Sequence, residues 1–556
     1  MFQRRSLLGF LSVLALIFSG CGGGVDLRAH NSDEGLVLEA FLPFNVGMLA
    51  SYSLRDEVQF SAVLKLEEKL TDEGKFSKTF SDQFDAQFEE LGLDYERDLK
   101  PAFGTQLRFI YAARMLGSNT SMTEPETFSV VTLADKGRLA DVFQVLVDAK
   151  QLEEKAVATG MIYVNNEKSF YAAIHEDLLL IASSAENLQN MLSQDEEASL
   201  WASSDYQDAL VNVGSNEVFY AMMFPAHYVG EVKLSTLFSV GNIPSILEHQ
   251  TLVVRAEDEG LRFEAYVNAN KAKAKILDFS FDQVPHSKPY LAAEVPAQGL
   301  LGYFESYGLK QSLDAANKLD GGNEMLAVLE ENVKNYLGMS LEDLTSFLDK
   351  AYAVGFHSNG EGIFPGVSVV FDVSSNPEKA KELVDKVDGQ LSGLIAVFEA
   401  GMPGAFVKET VDMQGSILNR VKVDLSAVTR SQQTPLPASI TQNPIEFIYG
   451  LKGDRLLLST AAVWSEEKGT MVLDSELYKN LNALLQNVDE GLILLDAQEL
   501  AAFAANLRAL REQLDLQVSE EASFFEDFLQ GFSGVIAKSK SNAYDSLFSG
   551  YFQLAQ

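Results

Sequence analysis

One cysteine, Cys21, serves 556 residues, so no disulfide can form within the chain. Histidine is also scarce. His30, His175, His227, His249, His286 and His357 form no H-E-x-x-H and no other pair at metal-ligand spacing, so neither a metal nor a catalytic histidine is expected. G-x-S-x-G and G-x-x-x-x-G-K-[ST] are missing, and with them the usual signs of a hydrolase nucleophile elbow and a phosphate-cradling loop. Basic residues are outnumbered: 43 Lys and Arg face 79 Asp and Glu, a formal net charge of −36. Such a surface repels phosphate backbones, so nucleic acid is not an expected partner. Beyond the N-terminus, no apolar run reaches the ~20 residues that span a bilayer.

What is present begins at the N-terminus, with "MFQRRSLLGFLSVLALIFSGCGGG". Arg4 and Arg5 form a positive n-region. Leu7 to Phe18 is an apolar h-region, too short for a comfortable membrane span. Ser19 and Gly20 are the small residues a signal peptidase requires, directly before Cys21. Residues 1–21 therefore read as a secretory leader ending at its processing site. "RRSLL" partly matches the twin-arginine export motif, but the strongly apolar h-region favours ordinary secretion. Residues 22–35, "GGGVDLRAHNSDEG", are poor in apolar groups and read as a flexible tether reaching roughly 20 Å.

Phe18-Ser19-Gly20-Cys21 resembles the lipobox of bacterial lipoproteins, with Phe18 where those proteins prefer leucine. The resemblance implies that Cys21 is the lipid attachment point, carrying a diacylglycerol and, in many bacteria, an amide-linked acyl chain such as palmitate. Each buried CH₂ contributes ~0.8 kcal/mol, so several chains hold firmly where one holds poorly. The implied location is exported, anchored to the cell membrane or outer membrane and facing the periplasm or exterior. Cleavage would remove Arg4 and Arg5 and deepen the negative charge by two.

A chain of this length exceeds one core, and 47% hydrophobic residues are ample for globular domains. Its second half echoes its first. "FYAAIHEDLLLIASS" (170–184) matches "EFIYGLKGDRLLLSTAA" (446–462), each an apolar run, a polar turn and a second apolar run. "LPF" (42–44) echoes "VPA" (295–297), "LGLDYERDL" (91–99) echoes "LGMSLEDL" (337–344), and "SSDYQDAL" (203–210) echoes "DSELYKNL" (474–481). Two further echoes fall in the same order: "VVTLADKGRLADVF" (130–143) with "VVFDVSSNPEKAKELV" (369–384), and "NEVFYAMMF" (216–224) with "DEGLILLDA" (489–497). Constant order with drifting spacing is what tandem copies with different loops produce.

Local patterns agree. Asp135 is placed to start a helix with Leu139, Val142, Phe143 and Leu146 on one face. Ser375 or Asn376 is placed to cap a second, opening with Pro377 and Glu378. "GLRFEAYVNAN" (260–270) alternates like a half-buried strand. The expected fold is α+β: two tandem related domains with mostly antiparallel sheets packed by helices, residues 36–285 and 286–556. The second carries an insertion at about 399–445.

The "LG(L/M)" stretches, the strand–helix that follows and the "YAAI-x-x-D-LLLIASS" hairpin resemble an uncharacterised bacterial envelope family known as a domain of unknown function. The resemblance covers residues 38–525 and carries over no catalytic residue.

Phe76, Phe80, Phe84 and Phe88 recur four apart in "FSKTFSDQFDAQFEELG" and would line one side of a helix. They read as core or as an apolar contact surface for a ligand or partner helix. Acidic clusters "DEEAS" (195–199) and "LDGGNE" (319–324) do not fit the twelve-residue calcium loop, and "GEGIFPG" (360–366) reads as a hairpin loop. The expected function is non-enzymatic binding or scaffolding at the cell surface, without a cofactor. Its partners would be the membrane, through the N-terminal lipid, and a protein or apolar ligand. A carrier or chaperone for apolar lipids or peptides, and an envelope hydrolase with a carboxylate-based site, are the alternatives.

Overall fold

The structure is a computed structural model. It describes residues 37–555 apart from 54–57, 64–92, 228–245, 282–288, 314–321, 359–364, 428–444, 461–468, 514–528 and shorter gaps of one to three residues. Twenty of the described strands belong to one sheet, and every pairing in it is antiparallel. The expectation of an α+β fold with two tandem domains, each having sheets of its own, is corrected by that single sheet. Side-chain alternation reports which residues face a core. It carries no mark of which strand edges share backbone hydrogen bonds, because those groups are common to all residues.

The chain gathers into two compact units, Met1–Phe238 with Pro244–Asn270, and Lys271–Gln556 with Ser239–Ile243. In the first, the strand order is 260–269, 247–257, 219–223, 48–53, 108–114, 126–132, 178–182, 171–175, 160–165 and 152–157. Leu49, Ile110, Phe128, Val130, Leu180 and Met222 project to one face. Against them lie the short helices Ala185–Leu192 and Ser204–Leu210, which contribute Leu188, Met191, Tyr206 and Ala209. Each fully buried Leu or Phe contributes roughly 1.5–3 kcal/mol. Ser184 and Ser203 cap these helices, accepting from the backbone N–H of Asn187 and Tyr206. The helix Lys136–Asp148 starts where the sequence placed it. Asp135 accepts from Arg138 N–H, and Leu139, Val142 and Phe143 are buried.

In the second unit the order is 545–554, 532–541, 490–496, 300–307, 351–357, 366–372, 455–459, 445–452, 416–423 and 406–413. Tyr303, Ala353, Val370, Leu457, Leu492 and Ile536 form its core face under the helix Glu476–Leu484, which inserts Tyr478 and Leu481. A smaller cluster of Phe347, Val373, Ala380 and Leu456 seats the helix Pro377–Gly401. That helix opens with Pro377, capped by the Asn376 side chain on Lys379 N–H.

The two hairpins read from sequence are present. Tyr171–His175 pairs with Leu178–Ala182, and Ile445–Lys452 with Arg455–Ser459. Their corners adopt the left-handed conformation, at Glu176 (φ 52°) and Gly453 (φ 57°). Glycine takes that conformation without the Cβ penalty that Glu176 bears.

Candidate functional site

Cys21, Phe18, Ser19 and Gly20, and the series Phe76, Phe80, Phe84 and Phe88, lie outside the described residues, as do His30 and His286. The chemistry the structure does bring together centres on two buried carboxylates and one buried histidine.

The first carboxylate is Glu39, 1% exposed, on the 3-10 turn Leu38–Phe41. Leu38 and Leu42 are completely buried and pull the turn against the sheet, which carries Glu39 inside with them. Its Oε1 pairs with the Arg108 guanidinium from a central strand. The same oxygen accepts from Tyr206 Oη at 2.9 Å and Tyr220 Oη at 3.1 Å, and the two hydroxyls lie 3.2 Å apart. Oε2 is buried and has no hydrogen-bond partner. Burial, reinforced by the neighbouring tyrosine and Glu39, pushes the Tyr206 phenol far above its usual range. Burial and Glu39 push Tyr220 up to about 12. Burial opposes the Arg108 charge, but Glu39 and the tyrosines outweigh it and hold the guanidinium above its ordinary value.

The second is Glu305, fully buried on the strand Leu300–Tyr307. It accepts from the backbone N–H groups of Tyr290 (2.8 Å), Leu291 (3.1 Å) and Ala292 (3.1 Å), which open the 3-10 turn Leu291–Ala293. Tyr303 Oη at 2.6 Å and Tyr307 Oη at 3.4 Å complete its shell. No ion pair among the described residues involves it, so hydrogen bonds from dipoles satisfy the carboxylate. Beside it, Tyr290 donates to Asp372, and Arg455 meets the same carboxylate at 2.9 Å while lying 5.3 Å above the Tyr290 ring. Burial alone would raise the Asp372 carboxyl, yet the bonds from Tyr290 and Ser374 and the Arg455 charge hold it below the usual value.

His357 and Ser368 form the third centre, with Nε2 2.9 Å from Oγ. A serine beside an imidazole is the start of a nucleophilic pair. Here His357 is 1% exposed and Ser368 not at all. Gly355 packs so closely that a Cβ on it would stand 2.7 Å from both Nε2 and Oγ. The pair is thus enclosed on that side, and burial drives the imidazole down to about 4. The pair ties neighbouring strands together.

Other sequence candidates resolve locally. His175 ends its strand and meets Phe41 edge-on at 6.0 Å. His227 bridges Val46 O and Asp205. Asp195 of the acidic cluster caps the turn Glu196–Ala198. Among the described residues no group of three His, Cys, Asp or Glu could hold a metal ion. No helix of the described residues is long and apolar enough to cross a membrane.

Sequence reasoning missed Glu39, Arg108, Tyr206 and Tyr220. The available signal was a lone charge between Leu38 and Leu42, two apolar residues one helical turn apart.

These centres, each sealed inside an antiparallel sheet and its short helices, define a sheet protein whose buried polar groups fasten elements to one another. The chain belongs to the family described as "Protein of unknown function (DUF3352)", matched over residues 13–533. No curated protein matches the chain in sequence. Among solved structures it is similar to TP0453 in crystal form IV, at 8% identity over 42% of this chain and 81% of that one, with a TM-score of 0.25. Crystal form III of the same protein gives 6% identity, 44% and 89% coverage and a TM-score of 0.25.

Proposed function

We propose that this protein is exported, acylated at Cys21 and held at a bacterial envelope membrane, where it acts by binding or scaffolding rather than by catalysis. The observation that carries the reading is the leader itself: Arg4 and Arg5, the apolar run to Phe18, then Ser19-Gly20-Cys21 and a glycine-rich tether. On this reading the acyl group at Cys21 is the anchor. In Cys21→Ser, labelled palmitate incorporation disappears and the protein moves from the membrane to the soluble fraction. A Cys21→Ser protein that stays with the membrane would overturn the anchor.

The two units further read as copies of one ten-strand design. Taken in order, each strand of the first unit has a counterpart at the same place in the second, from 260–269 with 545–554 through to 152–157 with 406–413. An experimental structure in which the two units superpose strand for strand is the expected result, and a strand order that differs between them would refute the duplication.

A further inference from the structure

We infer that Glu39 and Glu305 are one clamp, delivered from opposite partners in the two units, and that in the first unit this clamp fastens the described turn nearest to Cys21 onto its sheet. The first half rests on the duplicated design and the second on the anchor at Cys21, both proposed above.

The correspondence can be traced residue by residue. Leu38 and Leu291 each begin a 3-10 turn and are fully buried. Four residues on stand the buried Leu42 and Val295, followed by Pro43 and Pro296, each in an isolated antiparallel bridge, to Ser199 and Met471. Glu39 therefore corresponds to Ala292. On the strand that follows, Ser51 sits opposite Ile110 and Tyr220, and Glu305 sits opposite Ala353 and Leu492. Ser51 therefore corresponds to Glu305. The helix above also agrees: Tyr206 and Tyr478 are each the third residue after a serine cap, Ser203 or Ser475, that accepts from the tyrosine's own N–H.

Each unit thus has one glutamate and one small residue at these two positions, in opposite arrangement. In the first, the turn supplies the carboxylate and the sheet and helix supply Arg108, Tyr206 and Tyr220. In the second, the strand supplies the carboxylate and the turn supplies its backbone N–H groups. A second carboxylate at either place would be an unpaired buried charge, which explains why each unit has one. In both, the turn is bolted to the sheet. In the first unit that turn is the first described element after Cys21, so on the lipid-anchor reading a pull from the membrane reaches Glu39 before any described strand.

The test is hydrogen–deuterium exchange on the full-length chain, comparing wild type, Glu39→Ala and Glu39→Ala/Ser51→Glu. Glu39→Ala is expected to speed exchange of residues 37–47 about tenfold or more while the strands 108–114 and 126–132 keep their protection. The double variant, with the carboxylate moved to the position it holds in the second unit, is expected to return residues 37–47 to within about threefold of wild type. Unchanged exchange in Glu39→Ala, or a double variant no better than the single, overturns the inference. Should Glu39→Ala fail to fold, recovery of folding in the double variant supports the clamp and failure to recover refutes it. Cys21→Ser tests the anchor separately, so a soluble but unlipidated wild type would leave the exchange result standing.

Discussion

Tyr206 and Tyr220 stand hydroxyl to hydroxyl, 3.2 Å apart, over a single oxygen of Glu39. Two phenols and a guanidinium converge on one atom, and the three bonds polarise one another where Glu39 and both tyrosines are buried. Tyr206→Phe and Tyr220→Phe keep the rings and remove one donor each, so each is expected to lower unfolding stability by about 1–2 kcal/mol. The double variant should depart from additivity by at least about 0.5 kcal/mol, since the pair shares an acceptor. Denaturant titrations of the four proteins measure this, and strictly additive losses would refute the shared-acceptor account.

Arg108 is the counter-charge. Arg108→Met leaves the Glu39 carboxylate buried without a cation, and a destabilisation of about 3–5 kcal/mol is expected. Arg108→Met combined with Glu39→Gln removes both charges and should recover much of that loss. A double variant as unstable as Arg108→Met alone would show that the guanidinium acts by packing instead.

His357 has a folded pKa of about 4 against an ordinary 6.5, because burial disfavours its charged form. Between those values the unfolded chain binds a proton that the folded chain does not. The stability from a neutral His357 is therefore intact above pH 6.5, falls as pH drops from 6.5 to 4, and levels off below 4. The total is on the order of 3 kcal/mol. His357→Gln removes the titrating group and should flatten that part of the thermal-stability profile; an unchanged slope would assign it to other groups.

Gly355 packs against the same pair. In Gly355→Ala the new methyl would stand 2.7 Å from His357 Nε2 and Ser368 Oγ and 3.0 Å from Val295 Cγ1. Overpacking of that kind costs about 1–3 kcal/mol. Differential scanning calorimetry should show a lower Tm, and a melting point equal to wild type would mean the strands part easily at this point.

Short-range features were legible in the sequence. A polar turn between two apolar runs marked both hairpins, and Asp135, and Ser375 or Asn376, stood where a cap accepts from a free N–H in the first turn of a helix. Two things were not legible. Strand edges expose only backbone, which is alike in every residue, so nothing in the sequence revealed that twenty strands share one sheet. The Glu39 centre joins residues separated by 69, 167 and 181 positions, and no local periodicity spans such distances. A lone charge at Glu39 looks like an exposed residue until the fold encloses it.

Those separations also set a timetable. A chain emerging N-terminus first presents Glu39 long before Arg108, and Arg108 long before Tyr206 and Tyr220. The strand Met48–Ser53 waits as well, because one of its neighbours is Phe219–Met223. The turn Leu38–Phe41 is thus the earliest made of the described elements and among the last secured. Its full set of partners is present only once some 220 residues have been made.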